Sequence, residues 1–323
     1  MFLSLQQIQE EFKPMSKPFN YGGQAVIEGV LIRGRDTTGL AVRCPDGRIW
    51  TGLMPLNKIY NGKLRDLPIV RGVLILTETL MLGIKALNKS AIIAMADPES
   101  PFLEDNNKES LSKSEQGTIL GSMAIALVIG IGVFFLLPLI GARSLDQFIA
   151  SSFISNLLEG LTRLALLVGY IWAVGHIKEI QRVFAYHGAE HMTIHAYEHG
   201  VPLNAAEIAR FPRAHPRCGT AFLLTVVLIS IVIFTIIGRP SLPIAIASRI
   251  FLLPVIAGIS YEFIRLSGAH SQALFARALM YPGLVLQRLT TREPDEYQIE
   301  VAIAALNFTL DHDAEASNSI SRN

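Results

Sequence analysis

Long apolar runs with few charged residues are the dominant pattern from residue 118 onward. A helix needs roughly 20 mostly apolar residues to cross the hydrocarbon core of a bilayer, and four runs approach that length. They cover residues 118–140, 161–177, 220–238 and 244–264. Arg249 lies near the start of the fourth run, where its long side chain can reach the interface. The pattern predicts a mainly α, polytopic helical membrane protein with about four transmembrane helices.

The charges between these runs predict an orientation. The loops that join the first run to the second and the third to the fourth are short and carry few Lys or Arg. The second and third runs are joined by about 40 residues, 178–218, rich in His and Arg. Because Lys and Arg are enriched on the cytoplasmic side, we expect this loop and both termini in the cytoplasm. We expect the membrane to be a bacterial plasma membrane or an organellar equivalent.

Short strand-like segments precede the first run. Residues 24–32, 40–43 and 48–53 are typical of strands, and the turn residues Pro45, Asp46 and Gly47 separate the last two. They predict a small N-terminal β-element on the cytoplasmic side, which could recruit a protein partner.

The next segment, residues 68–96, is helical in pattern and mostly apolar, yet Arg71, Glu78 and Lys85 recur every seven residues along one face. We expect an amphipathic helix that lies in the interface or packs against the bundle. A fifth span is the alternative, which is disfavoured because it would place these charges in the hydrocarbon.

These elements predict a domain organisation. The β-element and amphipathic helix occupy 19–96, a linker 97–117, the four-helix region with its His-rich loop 118–265, C-terminal cytoplasmic helices 266–310 and a disordered tail 311–323. Within the C-terminal part, Pro294 and the two acidic residues that follow predict a helix start, and that helix should end near Leu306.

Composition supports the bilayer as the main partner. The 323 residues are 50% hydrophobic, with a mean hydropathy of +0.39. The formal net charge of +1 gives no field that favours nucleic acid, so we expect no nucleic-acid partner. Two cysteines, Cys44 and Cys218, are too few for a disulfide framework, but a metal or thiol role stays open.

The densest polar cluster lies in the His-rich loop and could bind a metal. If the segment is helical, His187 and His191 are one turn apart on the same face, and Glu190 lies beside them. Two imidazoles at i and i+4 can chelate one ion. The spelling H-x-x-E-H also matches an inverted zinc-protease pattern, in which the glutamate acts as general base. The cluster predicts a divalent-metal site, with zinc as the candidate and Glu190 as the catalytic residue.

A third ligand would come from the start of the third run, where either His215 or Cys218 is available. Cys218 precedes a helix, so the unpaired N–H groups of the first turn and the neighbouring Arg217 should favour its thiolate. If a straight helix continued from the second run, His187 would lie about 15 Å beyond the bilayer, at 1.5 Å per residue. We therefore expect a break near Gly188 or a folded-back loop.

Plain structural roles compete with the metal interpretation. The histidines could simply form a solvated face, and Glu190 could form an ion pair with Arg182 or Arg213. Cys218 could be a small buried apolar residue.

Other polar residues near the cluster have structural interpretations too. His195 and His199 are expected to be exposed to solvent. Glu262 is expected to pair with Arg265 or another basic residue. Glu28 could reach the site, although the glycines around it are equally typical of tight strand turns. The chain has no phosphate loop, Rossmann fingerprint or serine nucleophile elbow.

Several longer blocks resemble the YqhQ-like family of uncharacterised multi-pass membrane proteins, which carries the label of a predicted metal-dependent enzyme. The resemblance extends from about Tyr21 to Leu306. The blocks are GGQAVIEGV (22–30), YHGAEH (186–191) with AYE (196–198), RCG (217–219), and YPGL (281–284) running to TTREP (290–294). Met192 and His195 depart from the family pattern, which makes His195 a poor choice for an essential ligand.

Three functions remain open. The first is a metal-dependent hydrolase with a site on the cytoplasmic face. The second is a non-enzymatic membrane scaffold or assembly factor, in which the same side chains form a hydrogen-bonded plug. The third, a small-solute transporter, is disfavoured because the spans lack central acids and no repeat relates two halves.

Overall fold

The structure is a computed structural model that describes residues 21–54, 66–97, 113–269 and 274–320. Four strands come first: β1 Gly22–Val26, β2 Gly29–Arg33, β3 Thr38–Arg43 and β4 Ile49–Leu53. They form one antiparallel sheet in the order β1-β2-β3-β4. The predicted N-terminal β-element is therefore a four-stranded meander. Residues 98–112 of the predicted linker and 321–323 of the predicted tail lie outside the described residues.

Helices follow the sheet. They are α1 Val70–Ala94, α2 Lys113–Ile131, α3 Leu137–Ser144, α4 Ser152–Val174, α5 Lys178–Glu198, α6 Ala205–Ile208, α7 Gly219–Ile237, α8 Leu242–Phe251, α9 Leu253–Ala269, α10 Leu274–Thr290 and α11 Glu296–Ile320. A π-helical segment, Gly132–Leu136, joins α2 to α3. The chain is thus mainly helical, as predicted.

Both faces of the sheet are covered by helices. Val30, Ile32 and Ala41 pack with buried residues of α5 and α11. On the other face, Leu31 and Leu40 pack with buried residues of α1. Because side chains alternate between the faces of a strand, coverage of both faces explains why β2 and β3 are nearly continuous apolar runs.

Three stretches of the described chain are long and apolar enough to cross a bilayer. They are Ala124–Ser144, Ser152–Val174 and Gly219–Ile237. A fourth candidate is the pair Leu242–Phe251 and Leu253–Ser267, which is bent by 46°. The prediction of about four transmembrane helices is confirmed, since the described chain contains three to four candidate spans.

Helix α1 is not among these candidates and packs between the sheet and α9. Two residues of its predicted charged face, Arg71 and Glu78, form ion pairs. Glu78 is buried and lies 3.1 Å from Arg33 of β2. Arg71 pairs with Glu262 of α9, which also lies 3.7 Å from Arg265. The structural interpretation of Glu262 therefore agrees with its contacts.

The second candidate span begins nine residues earlier than the predicted residue 161 and includes a buried charge cluster. Arg163 donates to Glu159 at 2.6 Å, and Arg249 of α8 donates to the other oxygen of Glu159 at 2.7 Å. Arg163 Nε also donates to the carbonyl of Phe134 at 2.9 Å. Phe134 lies in the π-helical segment, where the regular hydrogen-bond ladder of the helix is interrupted. All three charged side chains are buried, so the spans carry paired charges that apolar runs did not reveal.

The segment predicted as a His-rich loop, 178–218, needs correction. Its first half is the 21-residue helix α5. The chain changes direction before this helix, at residues 175–177, where Ile177 is extended and precedes the first turn. The break is therefore not at Gly188, which lies inside α5. There a Cβ would lie 2.3 Å from the carbonyl oxygen of Arg292, so α5 packs closely against the chain that joins α10 to α11.

The predicted disordered tail also needs correction, because α11 continues past Leu306 to Ile320. Its Asp313 is buried and accepts hydrogen bonds from the backbone N–H groups of Arg35 at 2.7 Å and Thr37 at 2.9 Å. The hydroxyl of Tyr21 donates to the same carboxylate at 3.0 Å. These contacts fix the helix on the β2–β3 turn. A polar composition alone gave no sign of them.

Candidate metal centre

Two histidines of α5 present their Nε2 atoms to the same space. The ring centroids of His187 and His191 lie 4.3 Å apart, as expected for positions i and i+4. His187 Nδ1 is 2.9 Å from the carbonyl oxygen of Thr290, and His191 Nδ1 is 2.5 Å from that of Arg213. A carbonyl oxygen accepts and never donates, so both Nδ1 atoms carry a hydrogen, and in the neutral form of each ring the lone pair is on Nε2. This arrangement is typical of metal-ligating histidines.

Cys218 completes the group from the start of α7. It is the N-cap residue, and its sulfur accepts from the N–H of Thr220 at 3.4 Å. The sulfur therefore lies against the N–H groups of the first helical turn, which have no partner within the helix. Its Sγ lies 3.2 Å from His187 Nε2.

The ligand atoms of His187, His191 and Cys218 all lie within 4.8 Å of one another, so the group could hold a metal ion. Ligands bonded at about 2.0–2.3 Å in tetrahedral geometry lie about 3.3–3.8 Å from one another. Side-chain shifts of about 1 Å would therefore be enough to bring the three atoms to bonding distance of one ion.

Glu190 lies beside this group and is 3% exposed. Its Oε2 is 3.6 Å from His191 Nε2. Burial raises the pKa of the Glu190 carboxyl to about 7, against the opposing effects of His187 and of the backbone N–H of Gly23. Gly23 belongs to β1, where a Cβ would lie 2.1 Å from the carbonyl oxygen of Leu31. The glycine-rich first strand therefore reaches the site through its backbone, a role that the sequence interpretation missed.

His215 lies in a neighbouring group with His195 and Glu198, whose ligand atoms are also within 4.8 Å of one another. His215 Nδ1 accepts from the N–H of Arg217 at 3.3 Å, so the ring hydrogen is on Nε2. Nε2 faces Glu198 Oε2 at 3.5 Å, a long contact that does not count as a hydrogen bond. Its tautomer therefore makes His215 less suited than His187 or His191 to bind an ion through Nε2.

In this second group, burial keeps the imidazoles of His195 and His215 neutral beside the carboxylate of Glu198. Burial lowers the pKa of His195 to about 3 and that of His215 to about 4. Burial would raise the pKa of Glu198, but contacts with His215 and Arg217 outweigh it and lower the pKa to about 2. At neutral pH this group thus carries one negative charge, which the guanidinium of Arg217 contacts.

Gln287 of α10 holds His215 in place. Its side-chain amide accepts from the backbone N–H of His215 at 2.8 Å and donates to the carbonyl of the same residue at 2.9 Å. Helix α10 therefore supports both groups, because Thr290 at its end also holds His187. A single Gln in an apolar helix gives no sequence signal for such a role.

Several competing sequence interpretations are not observed. Glu190 does not pair with Arg182, which pairs with Glu28 instead. Arg213 lies 3.8 Å from Glu293.

His195 and His199 are half-buried against Phe211, not solvent-exposed, because the chain after α5 folds back over them. The stacking of His195 on an aromatic ring shows that this end of α5 is packed.

Comparisons with known proteins agree with the resemblance noted in the sequence. A family model described as "Protein of unknown function (DUF1385)" matches residues 67–312. The chain is 34% identical over 297 residues to "Uncharacterized protein YqhQ" of Bacillus subtilis (strain 168), which covers 91% of this chain and 93% of that protein. No solved structure matches the chain significantly. The chain therefore belongs to the DUF1385 family, and its resemblance to YqhQ-like proteins is confirmed.

Proposed function

We propose that this protein is an integral membrane, metal-dependent hydrolase whose site lies at the cytoplasmic surface of the bilayer. His187, His191 and Cys218 are the proposed ligands of zinc or another divalent ion, and Glu190 is the proposed general base. The observation that carries the proposal is the convergence of two Nε2 lone pairs and one helix-capping sulfur.

The donor set supports catalytic chemistry over a closed structural site. Three protein ligands leave a fourth position open, which is the pattern of catalytic zinc sites. Zinc bound there would supply polarisation of the substrate and activation of water at neutral pH. Glu190 lies within 3.6 Å of a proposed ligand atom, so it can take or return a proton beside the open position.

The position of the site also fits a membrane enzyme. Cys218 caps a candidate span, whereas His187 and His191 belong to a helix packed on the sheet. The flanking Lys and Arg residues favour the cytoplasmic side for this layer.

Metal content of detergent-purified protein tests the proposal. We expect near-stoichiometric transition metal in the parent and in a His312→Ala control, whose ring lies against Phe308 of α11. The metal should be lost from a His187→Ala/His191→Ala double variant. A Glu190→Gln variant should keep the metal and lose turnover in a screen of ester, amide and phosphoester substrates.

Either of two results would overturn the proposal: no metal in a parent purified without chelator, or full metal content in a folded double variant. Both would favour the second candidate, a membrane scaffold or assembly factor. The observation behind that alternative is the 3.2 Å contact of His187 Nε2 with Cys218 Sγ, which lets the side chains close on one another as a plug. In that case the N-terminal sheet would be the proposed surface for a protein partner, and cross-linking from the sheet would identify it.

A further inference from the structure

The turn between β1 and β2 has a backbone conformation that its residue type does not favour. Glu28 lies in the left-handed region, with a φ of 50°. Glycine adopts this region without steric cost, whereas a residue with a Cβ rarely does. Such a conformation persists where the surrounding contacts hold it in place. A glycine would form this turn more easily, so the side chain of Glu28 is the feature to explain.

That side chain binds helix α5. One carboxylate oxygen accepts from Arg182 Nε at 2.6 Å, and the other accepts from a terminal nitrogen of the same guanidinium at 2.5 Å. The second oxygen also accepts from the hydroxyl of Tyr186 at 3.3 Å. Paired hydrogen bonds between a guanidinium and a carboxylate fix direction as well as distance. The tip of the β1–β2 hairpin is therefore held against one side of α5.

Strand β1 is attached to the same side of α5 at a second point. Near the other end of the strand, the backbone N–H of Gly23 donates to the carboxylate of Glu190. Arg182, Tyr186 and Glu190 are spaced by four residues and therefore share one face of α5, against which β1 packs. The two attachments are about 12 Å apart along the helix axis, at 1.5 Å per residue. A strand held at two such points resists rotation of the helix about its axis.

The rotation of α5 decides where the proposed ligands point. His187 and His191 each follow a residue of the β1-facing stripe by one position, so their side chains lie about 100° farther around the axis. Their Nε2 atoms face the sulfur of Cys218, which belongs to a different helix. Ligand atoms must lie within about 2.0–2.3 Å of one ion. A small rotation of α5 is therefore enough to separate the histidines from the cysteine.

We propose that Glu28 is a positioning residue, which through Arg182 and Tyr186 sets the rotation of α5 and so aims His187 and His191 at the sulfur. The effect of Glu28 on metal affinity rests on the proposed function. Its effect on the orientation of α5 does not, and it can be measured on ion-free protein.

Glu28→Gly tests the side chain separately from the turn. Glycine relieves the strained backbone, and it keeps the hydrogen bond from the N–H of Arg43 to the carbonyl of residue 28, so we expect this variant to fold. Competition with a chromogenic chelator measures the zinc affinity of the full chain in detergent. Loss of an outer-shell partner typically lowers metal affinity by about 10–100-fold. Because Glu28 acts through α5, we expect a smaller, several-fold loss, and the same loss in Arg182→Gln, which leaves the turn intact.

Alkylation of Cys218 in ion-free protein gives a second readout that needs no metal. His187 Nε2 lies 3.2 Å from the sulfur and covers it. Rotation of α5 would uncover the sulfur, so iodoacetamide should modify Cys218 several-fold faster in Glu28→Gly than in the parent. Mass spectrometry of the cysteine peptides measures both rates. Cys44, buried between the sheet and α1, is the internal reference, and its rate should stay the same.

Glu300→Gln is the matched control variant. Glu300 pairs with Arg43 at 2.8 Å, and this ion pair joins the sheet to α11 instead of α5. The control should therefore change neither the zinc affinity nor the alkylation rate of Cys218. Thermal unfolding shows which variants fold.

Unchanged zinc affinity and an unchanged Cys218 rate in folded Glu28→Gly and Arg182→Gln would overturn the proposal. Equal effects of Glu300→Gln, or an equal increase in the rate at Cys44, would overturn it as well, because the ion pair would then only stabilise the fold. A parent protein that binds no metal would refute the proposed function alone, and the alkylation rates would then decide the role of Glu28.

Discussion

The hydrogen-bond partners of the imidazole nitrogens distinguish the histidines around the candidate centre. His187 and His191 both donate from Nδ1 to backbone carbonyls, which leaves Nε2 as an acceptor. His215 accepts at Nδ1 and therefore carries its hydrogen on Nε2. The Nε2 atoms of His187 and His191 are therefore suited to bind a metal ion, whereas Nε2 of His215 faces Glu198.

Replacing the proposed sulfur ligand should change both affinity and spectrum. Loss of an outer-shell partner typically lowers metal affinity by about 10–100-fold. Because Cys218 is a proposed direct ligand, we expect Cys218→Ser to lower the affinity by more than this. Cobalt-substituted parent protein should show a sulfur-to-metal charge-transfer absorption, and Cys218→Ser should lack it. Absorption spectroscopy checks this, with Cys44→Ser as the control, since Cys44 is buried between the sheet and α1. An unchanged spectrum in Cys218→Ser would contradict the assignment of the ligand.

The i, i+4 spacing of His187 and His191 and the capping position of Cys218 could be predicted from the sequence, because both follow from local helix geometry. The roles of Gln287 and Gly23 could not, since each acts through contacts with residues far away in the chain. Apolar periodicity reports which face of an element is buried. It does not report which backbone group lies opposite.

At the scale of elements, helix boundaries could not be predicted from the sequence where they depend on contacts with residues far away in the chain. The strands and spans were predictable because their apolar patterns are strong. Helix α5 belongs to the predicted His-rich connection, for which a helical course was left open, and it is covered by the sheet, by α11 and by the segment before α7. Helix α11 continues past the predicted end because Asp313 binds a distant turn.

The Asp313 contact makes a pH-dependent prediction. Burial favours protonation of this carboxyl, but hydrogen bonds from Thr37, Arg35, Asp36 and Tyr21 outweigh it and lower its pKa. A lowered pKa adds stability above the unfolded-state value of about 3.9, and that stability is lost as the pH falls through the folded-state value.

We therefore expect Asp313→Asn to be less stable than the parent at pH 7 by roughly 1–3 kcal/mol. The difference should shrink as the pH falls below about 4. Thermal unfolding at both pH values measures it, with Asp311→Asn, an exposed neighbour, as the control. A difference that does not depend on pH would contradict the charged form of Asp313.

At the scale of the whole molecule, the candidate centre joins two layers. Its histidines come from a helix packed on the sheet, and its cysteine comes from the end of a candidate span. The predicted topology places this junction on the cytoplasmic side.

Cysteine labelling tests that topology. Gln147 is exposed in the loop between α3 and α4, and Ala206 is exposed in α6. In intact cells, a membrane-impermeant maleimide should label Gln147→Cys, whereas Ala206→Cys should react after permeabilisation alone. The native cysteines are buried, and the parent protein measures their background. Labelling in the reverse order would invert the orientation and place the candidate centre outside the cytoplasm.

The charge cluster in the spans should stabilise the bundle. Removing one partner of a buried ion pair typically costs about 3–5 kcal/mol, so Glu159→Gln should lower stability strongly. Unfolding in a denaturing detergent measures the loss. Glu262→Gln is the control, because its pair with Arg71 is partly exposed and its loss should be smaller. Equal effects would mean that Glu159 is not essential for holding the two arginines.

The same cluster also specifies which neighbour the last candidate span takes. Lipid tails are as apolar as leucine side chains, so apolar packing alone gives a helix little reason to prefer another helix over lipid. Arg249 changes this, because an unpaired arginine inside a span is disfavoured, by up to about 2.5–3.5 kcal/mol at the helix centre on insertion scales. Its acceptor, Glu159, enters the membrane 90 residues earlier in the chain and already holds Arg163 one turn away. The second candidate span thus offers the fourth a buried carboxylate as a partner, which lipid cannot supply.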